Sequence, residues 1–114
     1  MCTLGREVFV VVPRYRVYVV VKEVRGYCAA GYRPGDTFVV EGFYIEPMRS
    51  TRVCLHALSS MLTLITPFLK GVSARTLGIG EEDDVGYIQC PDPGEPYTRG
   101  GTVVFELRRE EIEE

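Results

Sequence analysis

The sequence of 114 residues contains no asparagine and a single glutamine, Gln89. Lysine is nearly as scarce, with 2 residues against 11 arginines, and glutamate outnumbers aspartate 12 to 4. Amide side chains deamidate when hot, and networks of charged side chains cost less to desolvate at high temperature. The composition therefore predicts a protein from a hyperthermophile, where intracellular disulfides are an accepted exception to the usual rule.

Long apolar runs and an excess of positive charge are also lacking. No run approaches the roughly 20 residues that a membrane helix needs. The 13 basic and 16 acidic residues give a formal charge of −3, which is not the basic footprint of a nucleic-acid-binding protein. Residues 1–6 lack the pattern of a secretion signal. We expect a single domain over residues 1–114, located in the cytoplasm, that binds neither membranes nor nucleic acid.

Hydrophobic residues make up 46 % of the chain, enough for one core. Five runs of β-branched and aromatic residues predict strands: residues 7–12, 15–24, 37–45, 85–90 and 102–110. The first two are expected to form an N-terminal hairpin over residues 7–24, because Pro13 between them cannot sit inside a central strand. Within the third run, Gly42 predicts a bulge or a close contact. The charged tail 110–114 is expected to fray.

The period of the apolar pattern changes between residues 50 and 71. Four apolar residues recur there at helical spacing and are expected to pack against the sheet: Leu55, Leu58, Leu62 and Ile65. Ser50 or Thr51 is the expected N-cap, and Pro67 is expected to end or kink the helix. The order β-β-β-α-β-β predicts an α+β fold, with an antiparallel sheet of about five strands and one main helix packed on one face.

Three of the four cysteines, Cys28, Cys54 and Cys90, lie at loops or element ends, and the one histidine is His56. Three thiolates and an imidazole would complete a tetrahedral site for a metal such as zinc. The spacing argues against it, because there is no C-x-x-C and the gaps of 26 and 36 residues match no zinc module. In a helix, Cys54 and His56 would also point about 200° apart. Packing thiols, a metal site and a disulfide all stay open.

Cys54 has a further interpretation as a catalytic nucleophile. With Thr51 as the N-cap it would fall in the first helical turn, where unpaired N–H groups and the helix dipole stabilise a thiolate. A base or resolving thiol would then have to come from Cys28 or Cys90. Two prolines stiffen the "CPDPG" loop after Cys90, and we expect this loop to carry Cys90 toward Cys28 and the start of the helix.

Three stretches of the chain resemble a family of small, uncharacterised archaeal and bacterial proteins that carry three separated cysteines at these junctions. The matching stretches are "C…GY..GD.F" from Cys28, "VC..AL" around Cys54, and "CPD" from Cys90 followed by "VVFEL". The match covers roughly residues 15–109. No activity is attached to the family, so the resemblance implies only that Cys28, Cys54 and Cys90 belong together as a set.

Three classes of function follow from these patterns. Five apolar strands and a largely apolar helix offer more apolar surface than one two-layer core can hide, which favours a self-associating structural or interaction module that forms a homo-oligomer. The first alternative is a thiolate metal-binding or redox protein that uses Cys28, Cys54 and Cys90. The second alternative is an enzyme with Cys54 as the nucleophile, acting on a small molecule that the sequence does not specify.

Overall fold

A computed structural model describes residues 14–112 of the chain. Its elements in chain order are β1 (Arg14–Gly26), β2 (Thr37–Glu41), β3 (Tyr44–Ile45), a single 3-10 turn (Pro47–Arg49), α1 (Leu55–Leu69), α2 (Ala74–Leu77), β4 (Val85–Gln89) and β5 (Gly101–Ile112). No helix among these residues is long and apolar enough to cross a membrane.

The five strands form one antiparallel sheet in the order β3-β2-β1-β5-β4, with α1 packed on one face. This confirms the predicted α+β fold. The predicted strand 37–45 divides at Gly42, which has a φ of +64° in the two-residue turn between β2 and β3. Gly42 therefore makes a turn rather than a bulge or a close contact. The predicted strand 7–12, and with it half of the hairpin over 7–24, lies outside the described residues, as does Cys2.

Alternation along β1 places every second side chain under the helix. Val17, Val19 and Val21 are buried on that face, and they pair with core residues of β2 and β5 such as Phe38 and Phe105. Period-2 alternation is the expected pattern for a sheet with one covered face. The core thus lies between α1 and the three central strands.

The predicted core face of α1 is wrong in part. The buried helix residues are Ala57, Met61, Ile65, Phe68 and Leu69. Leu55 is 77 % exposed and Leu62 is 48 % exposed, and Leu58 is half-buried. The physical reason is that α1 carries two neighbouring apolar stripes at helical spacing, and the bulky, fully buried Met61 and Phe68 fix which stripe meets the sheet. The leucine stripe is left at the surface.

The start of α1 also differs from the prediction. Cys54 is the N-cap residue, not Ser50 or Thr51. The Ser50 hydroxyl instead accepts the Val39 N–H at 2.9 Å and donates to the Glu46 carbonyl at 2.7 Å. These bonds tie the segment before α1 to the edge of β2, because a short hydroxyl side chain binds nearby backbone as readily as it caps a helix.

The C-terminal tail is ordered further than predicted. β5 continues to Ile112, which pairs with Arg14 of β1, so the prediction that the chain frays from residue 110 is wrong at least as far as Ile112. Glu110 is opposite Arg16 of β1, and its carboxylate lies 3.8 Å from the Arg16 guanidinium. A charged tail that finds opposite charges across the strand pair gains stability from the pairing.

Arg109 of β5 anchors the other end of the helix. Its side chain is only 4 % exposed and its guanidinium lies between the rings of Tyr15 and Phe68, 4.6 and 4.5 Å from the ring centres. It donates to the carbonyls of Phe68 and Val72 at 2.8 and 2.7 Å. The Phe68 carbonyl also accepts the Gly71 N–H at 3.2 Å, so Arg109 adds a second donor at the helix end and supplies one to the Val72 carbonyl just beyond it.

The remaining donors of Arg109 bind the acidic loop 81–84. They reach the Asp83 carbonyl at 3.1 Å and the Asp84 carboxylate at 2.9 and 2.7 Å. The carboxylates of this loop are exposed. The loop also supplies the last hydrogen-bond acceptors of the buried Arg109 guanidinium, which is stable only when its donors are paired.

Candidate functional site

The three described cysteines lie at one end of the molecule, which we call the cysteine end. β1 and β4 both run antiparallel to β5, so their carboxyl ends meet at the same end of the sheet. Cys28 follows β1 by two residues, Cys90 directly follows β4, and Cys54 caps α1. The Thr51 N–H donates to the carbonyl of Thr37 at the start of β2, which brings the helix start to this same end.

Tyr32 joins the loop after β1 to the start of α1. Its ring is buried and packs edge-on against Phe105, with 5.8 Å between ring centres. Its hydroxyl accepts the Cys54 N–H at 2.7 Å and donates to the Arg52 carbonyl at 2.9 Å. Burial raises the pKa of Tyr32, and the nearby Cys54 and Cys28 sulfurs raise it further, against the lowering effect of the Cys54 N–H. The hydroxyl therefore keeps its proton and remains a donor. Sequence reasoning missed this role, although Tyr32 stands in the quoted "GY" pattern.

Cys54 lies one residue before the first helical turn in which it was predicted. Its backbone is extended, with φ −74° and ψ 130°, and its side chain makes no capping hydrogen bond. The sulfur is half-buried, and the residue lines an open pocket of about 270 Å³ together with Ala29, Ala30 and Arg52. A thiol at the N-cap, beside a solvent-filled pocket, is placed where a reagent can reach it.

Cys28 and Cys90 are half-buried at the edge of the core. The Cys28 carbonyl accepts the Gly31 N–H at 2.9 Å, which closes a turn just before Tyr32. The Cys90 N–H donates to the Val103 carbonyl at 2.8 Å and extends the pairing of β4 with β5 by one residue. All three described cysteines are free thiols.

The "CPDPG" loop is organised by Asp92. The Asp92 carboxylate accepts the Gly94 N–H at 2.9 Å and the Thr98 hydroxyl. These hydrogen bonds lower the pKa of Asp92, and the charge of His56 lowers it further. A Cβ at position 100 would collide with the Asp92 carboxylate, which explains Gly100.

The predicted metal site finds no support in the structure. Within residues 14–112, no group of three or more histidine, cysteine or acidic side chains is arranged to hold a metal ion. Cys28, Cys54, Cys90 and His56 share one end of the fold without forming a ligand set. His56 is exposed on the second residue of α1, and its carbonyl accepts the Ser59 hydroxyl at 3.0 Å.

A second feature lies along α1, on the side of the β2–β3 turn. We call it the apolar groove, a cleft of about 260 Å³ whose lining includes Phe43, Tyr44, Leu58, Leu62 and Lys70. Phe43 is 88 % exposed and Tyr44 is 68 % exposed. The Lys70 ammonium lies 4.6 Å from the centre of the Phe43 ring. The leucine stripe that was expected in the core thus forms one wall of a surface groove.

Comparison of the chain with protein-family models, with curated proteins and with solved structures finds no match.

Proposed function

We propose that the protein is a self-associating module in which a second copy of the chain covers the apolar groove. The observation that carries the proposal is the exposure of Phe43 beside a cleft walled by leucines. Exposed aliphatic side chains scattered singly are ordinary, whereas a contiguous apolar patch marks an interaction surface. Phe43, Tyr44, Leu58 and Leu62 line one and the same cleft.

The exposed apolar area is close to what a dimer needs. Leu55, 77 % exposed, continues the leucine stripe by one helical turn beyond Leu58. A large apolar side chain presents on the order of 200 Å² when it is fully exposed, so the four exposed residues Phe43, Tyr44, Leu55 and Leu62 offer roughly 500 Å². This is most of the about 800 Å² that each partner gives to a standard interface.

The shape of this surface suits a contact between identical copies. A projecting aromatic side chain, Phe43, stands at the edge of a concave groove. In a twofold contact the same surface serves both partners, so each Phe43 can enter the groove of the other copy. Aromatic side chains that fill pockets are the residues that dominate binding energy in interfaces.

Light scattering coupled to size-exclusion chromatography tests the proposal at micromolar concentration. The wild-type chain of 12.8 kDa is expected to elute as a dimer of about twice that mass. Phe43→Asp is expected to give a folded monomer with the far-UV circular dichroism of the wild type, because the side chain contributes to the contact and hardly to the core, and loss of the dimer is expected to lower the unfolding midpoint.

The matched control is Tyr97→Asp, which adds the same charge at another exposed aromatic residue, 80 % exposed, that does not line the groove. This variant is expected to remain a dimer. A monomeric wild-type protein would leave the groove to another occupant and overturn the proposal. A dimer that tolerates Phe43→Asp would overturn it as well.

A further inference from the structure

We propose that Cys28 and Cys54 are a dithiol modification site, which a small-molecule disulfide oxidises to a bond between the loop after β1 and the start of α1. The proposal concerns the cysteine end and does not depend on the apolar groove. Neither cysteine is paired in the structure, and both are half-buried against the same core.

Tyr32 brings the two cysteines together. Cys28 and Tyr32 lie in one short loop, whose turn is closed by the Gly31 N–H and the Cys28 carbonyl. The Tyr32 hydroxyl holds both the Cys54 N–H and the Arg52 carbonyl. Ala29 and Ala30, which follow Cys28 directly, line the same pocket as Cys54. The two hydrogen bonds of the Tyr32 hydroxyl and the shared pocket lining therefore place the loop of Cys28 next to the residues around Cys54.

The strand order keeps Cys90 away from Cys28. It follows β4, which is separated from β1 by β5. Strands in a sheet lie about 4.8 Å apart, so the ends of β1 and β4 are separated by about 10 Å. A disulfide needs Cα atoms within about 7 Å of each other. This separation excludes a bond between Cys28 and Cys90, and the contacts of the Cys28 loop with the residues around Cys54 favour Cys28 as the partner of Cys54.

Cys54 is the thiol that an external reagent meets first, because it lines an open pocket of about 270 Å³. Arg52 adds a positive charge to the lining of this pocket, and no acidic partner of its guanidinium is present among residues 14–112. A guanidinium binds carboxylates in a fixed geometry. The reactant class that fits is therefore a small disulfide that carries carboxylate groups.

The reaction proceeds by two thiol–disulfide exchanges. The Cys54 thiolate attacks one sulfur of the small disulfide, whose S–S bond breaks and whose other half leaves as a thiolate that takes up the proton lost by Cys54. The Cys28 thiolate then attacks the Cys54 sulfur of the mixed disulfide and releases the second small thiol, which takes up the proton lost by Cys28. Two protein thiols are oxidised to one disulfide, and the reagent is reduced to two thiols.

Peptide mapping of the full-length native protein tests the proposal, with glutathione disulfide as the probe at neutral pH. Remaining thiols are blocked with N-ethylmaleimide before digestion without reduction. Trypsin separates the four cysteines cleanly, because residues 1–6, 26–49, 53–70 and 76–99 form four peptides with one cysteine each. We expect peptide 26–49 joined to peptide 53–70 with a mass 2 Da below their sum, and a single-chain band on a non-reducing gel.

Serine variants identify the attacking and the resolving thiol. Cys90→Ser is expected to keep the link, while Cys28→Ser is expected to trap Cys54 as a mixed disulfide with the probe. The bond closes a loop of 26 residues, so oxidation of the wild type is expected to raise the melting temperature by on the order of 10 °C. A link to peptide 76–99 would overturn the pairing. A native protein whose Cys28 and Cys54 carry only mixed disulfides, or resist the probe altogether, would overturn the proposal.

Discussion

At its C-terminal end, α1 is held by the buried guanidinium of Arg109, which places all its donors on carbonyls and one carboxylate. At its N-terminal end the helix is held by the Tyr32 hydroxyl, and its cap residue is a cysteine without a capping bond. At the first end, every donor of the Arg109 guanidinium is paired and no thiol is present. The second leaves a half-buried thiol beside an open pocket. The denser hydrogen bonding therefore lies at the C-terminal end of α1, and the accessible thiol lies at its N-terminal end.

The largest effect is expected from Arg109→Ala. This change removes the side-chain donor to the carbonyls of Phe68 and Val72 and the cation between two aromatic rings. Breaking a buried, fully bonded charge site costs about 3–5 kcal/mol of unfolding free energy. Reversible unfolding in guanidinium chloride measures the loss.

Arg75→Ala is the matched control for Arg109→Ala. The Arg75 side chain is 65 % exposed and makes one ion pair with Asp83 at 3.6 Å, so its loss is expected to cost less than about 1 kcal/mol. Equal stabilities of the two arginine variants would show that Arg109 does not anchor the C-terminal end of α1.

Tyr32→Phe tests the anchor at the other end and is expected to have a smaller effect. The ring and its packing on Phe105 stay, while the Cys54 N–H loses its acceptor and the Arg52 carbonyl loses its donor. An unsatisfied buried group costs about 1–3 kcal/mol. The same unfolding assay measures the loss, and the thiol of Cys54 is expected to react faster with an aromatic disulfide reagent in this variant.

Tyr97→Phe removes a hydroxyl from a tyrosine that is 80 % exposed, and it is expected to stay within about 0.5 kcal/mol of the wild type. Equal stabilities of the Tyr32 and Tyr97 variants would show that the hydroxyl does not fix the helix start.

The sequence predicted the fold class and the shared position of the cysteines, but it did not predict which face of α1 is buried. Strand alternation and helical periodicity predicted the α+β fold, and the position of the three cysteines at loops and element ends predicted that they share one end of it. The face of α1 was not predictable from spacing, because Leu55, Leu58 and Leu62 repeat as regularly as Ala57, Met61 and Ile65. Packing of whole side chains against the sheet decides between two such stripes.

The two anchors were beyond the sequence because each depends on long-range register. In the sequence, Arg109 is one of several charged residues near the C-terminus. Only the pairing of β5 with β1 brings it under the end of α1, next to Tyr15. Tyr32 lies 22 residues from Cys54 along the chain. Contacts of this kind follow from the assembled fold and carry no local signal in the residue order.

The smallest expected effect concerns Asp92 at the cysteine end and appears only as a dependence on pH. The Thr98 hydroxyl and the Gly94 N–H, with the charge of His56, lower the pKa of Asp92 in the folded state below its usual 3.8. Asp92 therefore stabilises the fold above the unfolded pKa, and this contribution is lost as the pH falls through the folded pKa.

Asp92→Asn removes the titrating group. The difference in urea midpoint between wild type and Asp92→Asn is expected to be present at pH 6 and to vanish toward pH 2. Thr98→Val keeps the Asp92 carboxylate but removes the hydroxyl that donates to it. The urea midpoint of this variant is therefore expected to fall less between pH 6 and pH 2 than that of the wild type. Parallel curves of urea midpoint against pH for the wild type and both variants would show that ionised Asp92 does not stabilise the loop.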